Sequence, residues 1–285
     1  KTSLLMDDIA LNSGRNRDYA RGLTRAAAGA IIFGLPLLMT MEMWSLGHSM
    51  HPVRLLLFLA LNVTVLVFLS RFGGFEPTMT FKEDVLDAFG AYAVGVVASL
   101  TVLSLFGLIA LSKPVMEIAT MIAVQSVPSS FGAMLARKQL GEGEADTNEE
   151  RSARTEGYVA QLFLMMAGAL FFAFNIAPTE EVLLIGFKMT AWHSLALVGV
   201  SLLMLHALVF TLGFPGRESP PEGYGTARVF LAYTVPGYGM ALLVCLYVLW
   251  TFGRLDGMSF DVLAGSMVVL GFPASIGAAI ARLIV

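Results

Sequence analysis

Long apolar runs separated by short polar clusters set the pattern of this chain. Eight of the runs are about twenty residues long, the length a helix needs to cross a bilayer. They lie at 23–44, 52–71, 86–111, 114–136, 158–178, 190–213, 227–252 and 259–282. The runs are continuous rather than alternating at period two, which predicts helices and excludes a β-barrel. The expected fold class is all-α: a polytopic membrane protein with eight transmembrane helices.

The polar stretches divide this pattern in two. Residues 1–22 are polar and are expected to fray or lie along the interface as a cytoplasmic N-terminal segment. Residues 138–157 form the longest polar connection and read as a cytoplasmic linker. Residues 23–137 then form a first four-helix repeat and residues 158–285 a second. The Pro/Gly-rich loop at 217–225 holds the place in the second half that 76–83 holds in the first.

Internal repetition supports the division. At an offset of 145, the segments 127–137 and 272–282 share Pro128/Pro273, Ser130/Ser275, Gly132/Gly277, Ala133/Ala278, Ala136/Ala281 and Arg137/Arg282. At an offset of 139, residues 29–75 and 168–214 share Gly29/Gly168, Thr40/Thr179, Glu42/Glu181, Gly47/Gly186 and Met50/Met189, among others. Between these blocks, Ala91-Tyr92 matches Ala232-Tyr233 at an offset of 141. Four spans per copy is an even number, so both copies enter the membrane the same way round. They are expected as parallel repeats about a pseudo-twofold axis along the membrane normal.

Charge orients the chain, because cytoplasmic connections collect Lys and Arg. With the N-terminus inside, 14 of the 18 Lys and Arg residues fall on the cytoplasmic side. Only Arg54, Lys113, Lys188 and Arg254 fall outside. Both termini are therefore expected in the cytoplasm, with the protein integral to the cell (inner) membrane. Composition agrees: 56% hydrophobic, 14% charged, mean hydropathy +0.75, against about 25% charged in an average soluble domain. The net charge of −3 gives no basic footprint for nucleic acid. The single cysteine, Cys245, excludes a disulfide framework and a thiol metal site. The first twenty residues lack the apolar centre of a signal peptide, so the first span is expected to stay in the mature protein.

Few residues carry chemistry. Pro128 and Pro273 fall inside spans four and eight, where each removes a backbone donor and frees the carbonyl four residues earlier, Val124 and Val269. In lipid that carbonyl needs a hydroxyl, a water or another helix. Ser129, Ser130 and Gln125 lie beside Pro128, and Ser275 beside Pro273. One reading is a broken helix lining a hydrated path. The other is close packing on the small faces Ser129/Gly132/Ala133/Ala136 and Ala274/Gly277/Ala278/Ala281. Glu42 and Glu181 are repeat-matched acids at outer span ends, read as a cation-attracting mouth or as interfacial acids pairing with Arg54 or Lys188. Glu117 is a third acid, without a counterpart in the second copy. Asn62 and His206 are single polar residues inside spans.

His48, His51 and His193 lie near the glutamates but show no tight ligand spacing, and the sixteen methionines form no M-x-x-M series converging on histidine. There is no phosphate loop, nucleophile elbow or H-E-x-x-H. No cofactor, no metal and no catalytic residue is expected.

The segment F-G-L-P-L-L-M-T-M-E-M-W at 33–44, together with P-S-S-F-G-A at 128–133, resembles an uncharacterised bacterial family of integral membrane proteins. The resemblance covers most of the chain and implies no activity. Two functions are carried forward. One is a small-ion (cation or proton) channel or transporter, its path between the two repeats or between protomers of a homo-oligomer. The other is a non-transporting structural or signalling protein that binds a partner through its helices. The lipid bilayer is the partner common to both.

Overall fold

The computed structural model describes residues 2–73, 80–110, 112–139, 157–211 and 225–284, with side chains over 20–71, 80–110, 112–136, 157–211 and 225–283. The described residues form helices joined by short turns, with no strand among them. The first half runs α1 Thr2–Leu38, α2 Met41–Ser49, α3 Pro52–Gly73, α4 Phe81–Leu105 and α5 Val115–Gln139. The second runs α6 Tyr158–Ile176, α7 Glu181–Lys188 and α8 Ala191–His206, which continues as a π-helical turn over Ala207–Thr211. It ends with α9 Thr226–Val229, a π turn at Phe230–Thr234, α10 Val235–Thr251 and α11 Phe260–Ile284.

Among the described residues, eight helices are long and apolar enough to cross a membrane, from Ala20–Leu38 through to Phe260–Leu283. Three details differ from the sequence reading. Span one ends at Leu38 rather than at 44. Residues 41–44, read as its end, join 45–49 in the separate short helix α2, and 181–188, read as lying between spans five and six, form α7 in the same position of the second half. The polar N-terminal stretch is helical from Thr2 and continuous with the first span. Most of the linker, 140–156, and most of the 217–225 loop lie outside the described residues.

Local chemistry sets the breaks, and sets them twice. The Leu37 carbonyl accepts both the Thr40 N–H (3.1 Å) and its hydroxyl (2.9 Å); the Ile176 carbonyl accepts the Thr179 N–H (3.1 Å) and its hydroxyl (2.8 Å). Each short helix closes with a methionine N–H, Met50 to Leu46 O and Met189 to Ile185 O, both 3.0 Å. At the ends of α4 and α10 the chain turns through Gly107 (φ +70) and Gly253 (φ +71), a left-handed conformation that costs glycine no Cβ clash. Leu108 N–H returns to Leu103 O at 3.0 Å, and Arg254 N–H to Leu249 O at 2.9 Å. This is the six-to-one bond of a helix-terminating Schellman motif.

Within each half the last helix is central. Helix α5 packs on α1, α2, α3 and α4, while α11 packs on α6, α7, α8 and α10. The expected close approach of small faces is present. A Cβ on Gly29 would strike Gly132 O and Ala136 Cβ; one on Gly168 would strike Gly277 O and Ala281 Cβ. A Cβ on Gly47 would lie 2.7 Å from the Met121 backbone, and one on Gly186 2.7 Å from the Ser266 backbone. In lipid, such backbone approach supplies the dispersion contact that holds helices together, because apolar burial between helices gains little there.

Helices α4 and α10 correct the register of one sequence match. The buried positions Ala88, Ala91, Gly95, Ala98, Ser99, Val102 and Leu103 correspond at an offset of 146 to Thr234, Gly237, Ala241, Val244, Cys245, Val248 and Leu249, all buried. The pairing of Ala91-Tyr92 with Ala232-Tyr233 at 141 does not follow the buried face.

Candidate functional site

A proline inside a helix need not break it. Helices α5 and α11 continue through Pro128 and Pro273, so the broken-helix reading gives way to two unbroken helices. The serines bond locally: Ser126 Oγ donates to Ala123 O, Ser130 Oγ to Val127 O and Ser275 Oγ to Phe272 O, each at 2.7 Å.

Around Pro128 the structure brings together a polar seam. Asn62, from α3, donates from Nδ2 to Ser130 Oγ at 3.1 Å. Ser99, from α4, donates to Ser129 Oγ at 3.2 Å. Gln125 donates from Nε2 to Leu37 O of α1 at 3.5 Å, while its Oε1 is buried and accepts no hydrogen bond. All of these side chains, and Ser126, are at most 1% exposed. The second half does not repeat this set, although it buries Ser201, Ser266, Ser275 and Tyr238. At the offsets defined above, Gln125 corresponds to Leu270, Ser126 to Gly271, Ser129 to Ala274, Ser99 to Cys245 and Asn62 to Ser201. Only Ser130 has an identical counterpart, Ser275.

The remaining candidates are dispersed. Glu42 sits half-buried in the first turn of α2, and Glu181 exposed in the first turn of α7. Helix α2 packs on α5 and α7 on α11, so each acid belongs to its own half. Arg54 does not pair with them; it binds Asp256. Glu117, in the first turn of α5, pairs with Lys113 at 2.9 Å. His51 Nδ1 accepts the Val53 N–H at the start of α3, and His193 Nδ1 meets the Thr190 hydroxyl at the start of α8. Among the described residues, no three His, Cys, Asp or Glu side chains lie together as metal ligands.

His206 belongs to a different cluster, where the two π turns of the second half meet. Its Nδ1 lies 2.9 Å from Thr234 Oγ1, between the rings of Phe210 and Phe230. Tyr158 Oη donates to Ala232 O at 2.9 Å within the second π turn. Arg282 is buried nearby, its guanidinium 5.8 Å from the Phe210 ring centre and Nη1 3.8 Å from Met165 Sδ. The side chain of its sequence counterpart, Arg137, lies outside the described residues.

Where the halves meet, the structure places phenylalanine rings. Phe58 packs edge-on against Phe174 (5.1 Å) and Phe252 (5.5 Å), Phe131 against Phe174 (5.9 Å), and Phe33 against Phe171 (5.4 Å). Sequence reading missed this layer, and it missed Ser99. Ser99 shares its apolar run with Thr101 and Ser104, so nothing in the sequence singled it out, and its partner lies 30 residues away.

The family described as Putative integral membrane protein (DUF2391) matches residues 22–285. No curated protein and no solved structure matches the chain.

Proposed function

The chain belongs to this family of integral membrane proteins, and from that premise we propose that it carries a small cation or proton across the bilayer through the polar seam of its first half. One observation carries the reading: five polar side chains from three helices, Asn62, Ser99, Gln125, Ser129 and Ser130, are buried together midway along an apolar span. Polar groups at such depth are costly in hydrocarbon and concentrate along ion and substrate pathways. The route expected between the halves moves into the first half, because rings fill the junction. Glu42, in the first turn of α2, which packs on α5, supplies the acidic entrance, while Glu117 is held by Lys113.

The same reading keeps the halves as parallel repeats in the inner membrane, with both termini cytoplasmic. The matched glycine contacts, threonine breaks and Schellman turns support the repeat, and the Lys/Arg distribution supports the orientation. A path between protomers of a homo-oligomer is the competing arrangement.

Reconstitution into sealed vesicles tests the proposal. Purified protein should dissipate an imposed cation or proton gradient faster than protein-free vesicles. Rates no faster than those of protein-free vesicles, for every alkali cation in a panel and for protons, would end the transport reading and favour the partner-binding alternative.

A further inference from the structure

Resting on the transport reading, we infer that the seam holds a monovalent alkali cation on neutral oxygens, rather than a proton or a divalent ion. The donor set decides this. Asn62, Ser99, Gln125, Ser126, Ser129 and Ser130 offer amide and hydroxyl oxygens and no group that changes charge near neutral pH. Hydroxyls can relay a proton, but nothing among these six stores one. Divalent ions draw carboxylates into their oxygen shells. The cost of taking an ion out of water rises with the square of its charge, and these six side chains contribute no compensating charge.

Gln125 points to a ligand independently. Its Nε2 faces the Leu37 carbonyl at 3.5 Å, and turning the amide over would set two oxygens against each other. Oε1 therefore stays on the other side, fully buried and without a donor. A buried acceptor left empty is destabilising, and a cation satisfies it.

Packing alone does not call for these oxygens. The second half completes a similar set of helix contacts with Leu270, Ala274 and Cys245 at the positions of Gln125, Ser129 and Ser99. The seam is also narrow: a Cβ on Gly34 would strike Ser129 Oγ. A bound ion therefore exchanges its water shell for protein oxygens.

Thermal unfolding of the full chain in detergent, at one ionic strength, tests the site. Sodium, potassium and magnesium chlorides are each compared with N-methyl-D-glucamine chloride. Sodium or potassium should raise Tm by several degrees and saturate, since a ligand that binds only the folded state stabilises it. Magnesium should do nothing. The midpoint of that shift should move at least tenfold in Gln125→Leu. Ser99→Cys serves as a second, milder variant if the first folds poorly. Equal Tm in all four salts, or a shift unchanged in both variants, overturns the inference. Proton flux without any alkali-dependent shift removes the cation site and leaves transport standing. A saturable shift without flux keeps the site and removes transport.

Discussion

Arg54 grips Asp256 with two hydrogen bonds, Nη1 to Oδ2 at 2.8 Å and Nη2 to Oδ1 at 2.9 Å, across 202 residues of sequence. The guanidinium also lies 5.0 Å from the Trp250 ring centre. This clasp ties α3 of one half to the connection between α10 and α11 of the other. Arg254 reinforces the same end of the bundle by donating to the Pro178 carbonyl.

The clasp makes stability depend on acid. Hydrogen bonding to Arg54 holds the Asp256 carboxyl below its ordinary range. A carboxylate depressed in the folded state contributes stability above its unfolded value, about 3.9, and loses it as pH falls through the folded one. Wild-type Tm should therefore drop more steeply below about pH 4 than that of Asp256→Asn, with the difference shrinking in high salt. Parallel Tm–pH curves would show that the clasp adds nothing.

Glycine contacts that recur in both halves should respond alike. Gly132→Ala and Gly277→Ala each force a methyl against a facing glycine carbonyl and a phenylalanine, and overpacking of this kind costs about 1–3 kcal/mol. Gly90→Ala meets nothing within 4 Å and should be neutral or slightly stabilising. Detergent Tm values for the three variants check this; a neutral Gly132→Ala would contradict the close contact.

Much of this arrangement was legible in the sequence. Span length alone located eight helices, because nothing but a membrane core accommodates so many apolar runs. Thr40/Thr179 and Gly47/Gly186 were visible as repeated letters, though not as the breaks and contacts they form. The short helices α2 and α7 stayed hidden, since Met41, Met43 and Trp44 extend the apolar run of span one and only the Thr40 bonds to Leu37 cut it. The register of α10 was misread because two matching letters weigh less than a buried face. The seam was half visible: Gln125 and Asn62 stood out, but which hydroxyl each meets depends on helix rotation.

Topology has a direct check. Cys245 is buried, so cysteines placed singly at Lys188, Asp256 and Arg228 should report alone to a membrane-impermeant maleimide. Positions 188 and 256 should label from outside intact cells, and 228 only after permeabilisation. Labelling of 188 and 228 from one side would overturn the eight-span orientation.

The acids should behave unequally. Glu42 lies in the first turn of a helix packed on the seam-bearing α5, and Glu181 in the first turn of one packed on α11, which lacks the seam. Glu42→Gln should slow cation entry, most of all at low ionic strength where its field reaches furthest. Glu181→Gln should leave flux unchanged. Equal slowing by both would place the entrance between the halves.

The central claim is that ions pass through oxygens carried by one half alone. Cation flux into vesicles containing Gln125→Leu/Ser129→Ala, which gives the first half the residues of the second at both positions, tests it most directly. Flux should fall to the level of protein-free vesicles while the variant remains folded and monodisperse. Wild-type flux through this double variant would contradict the account.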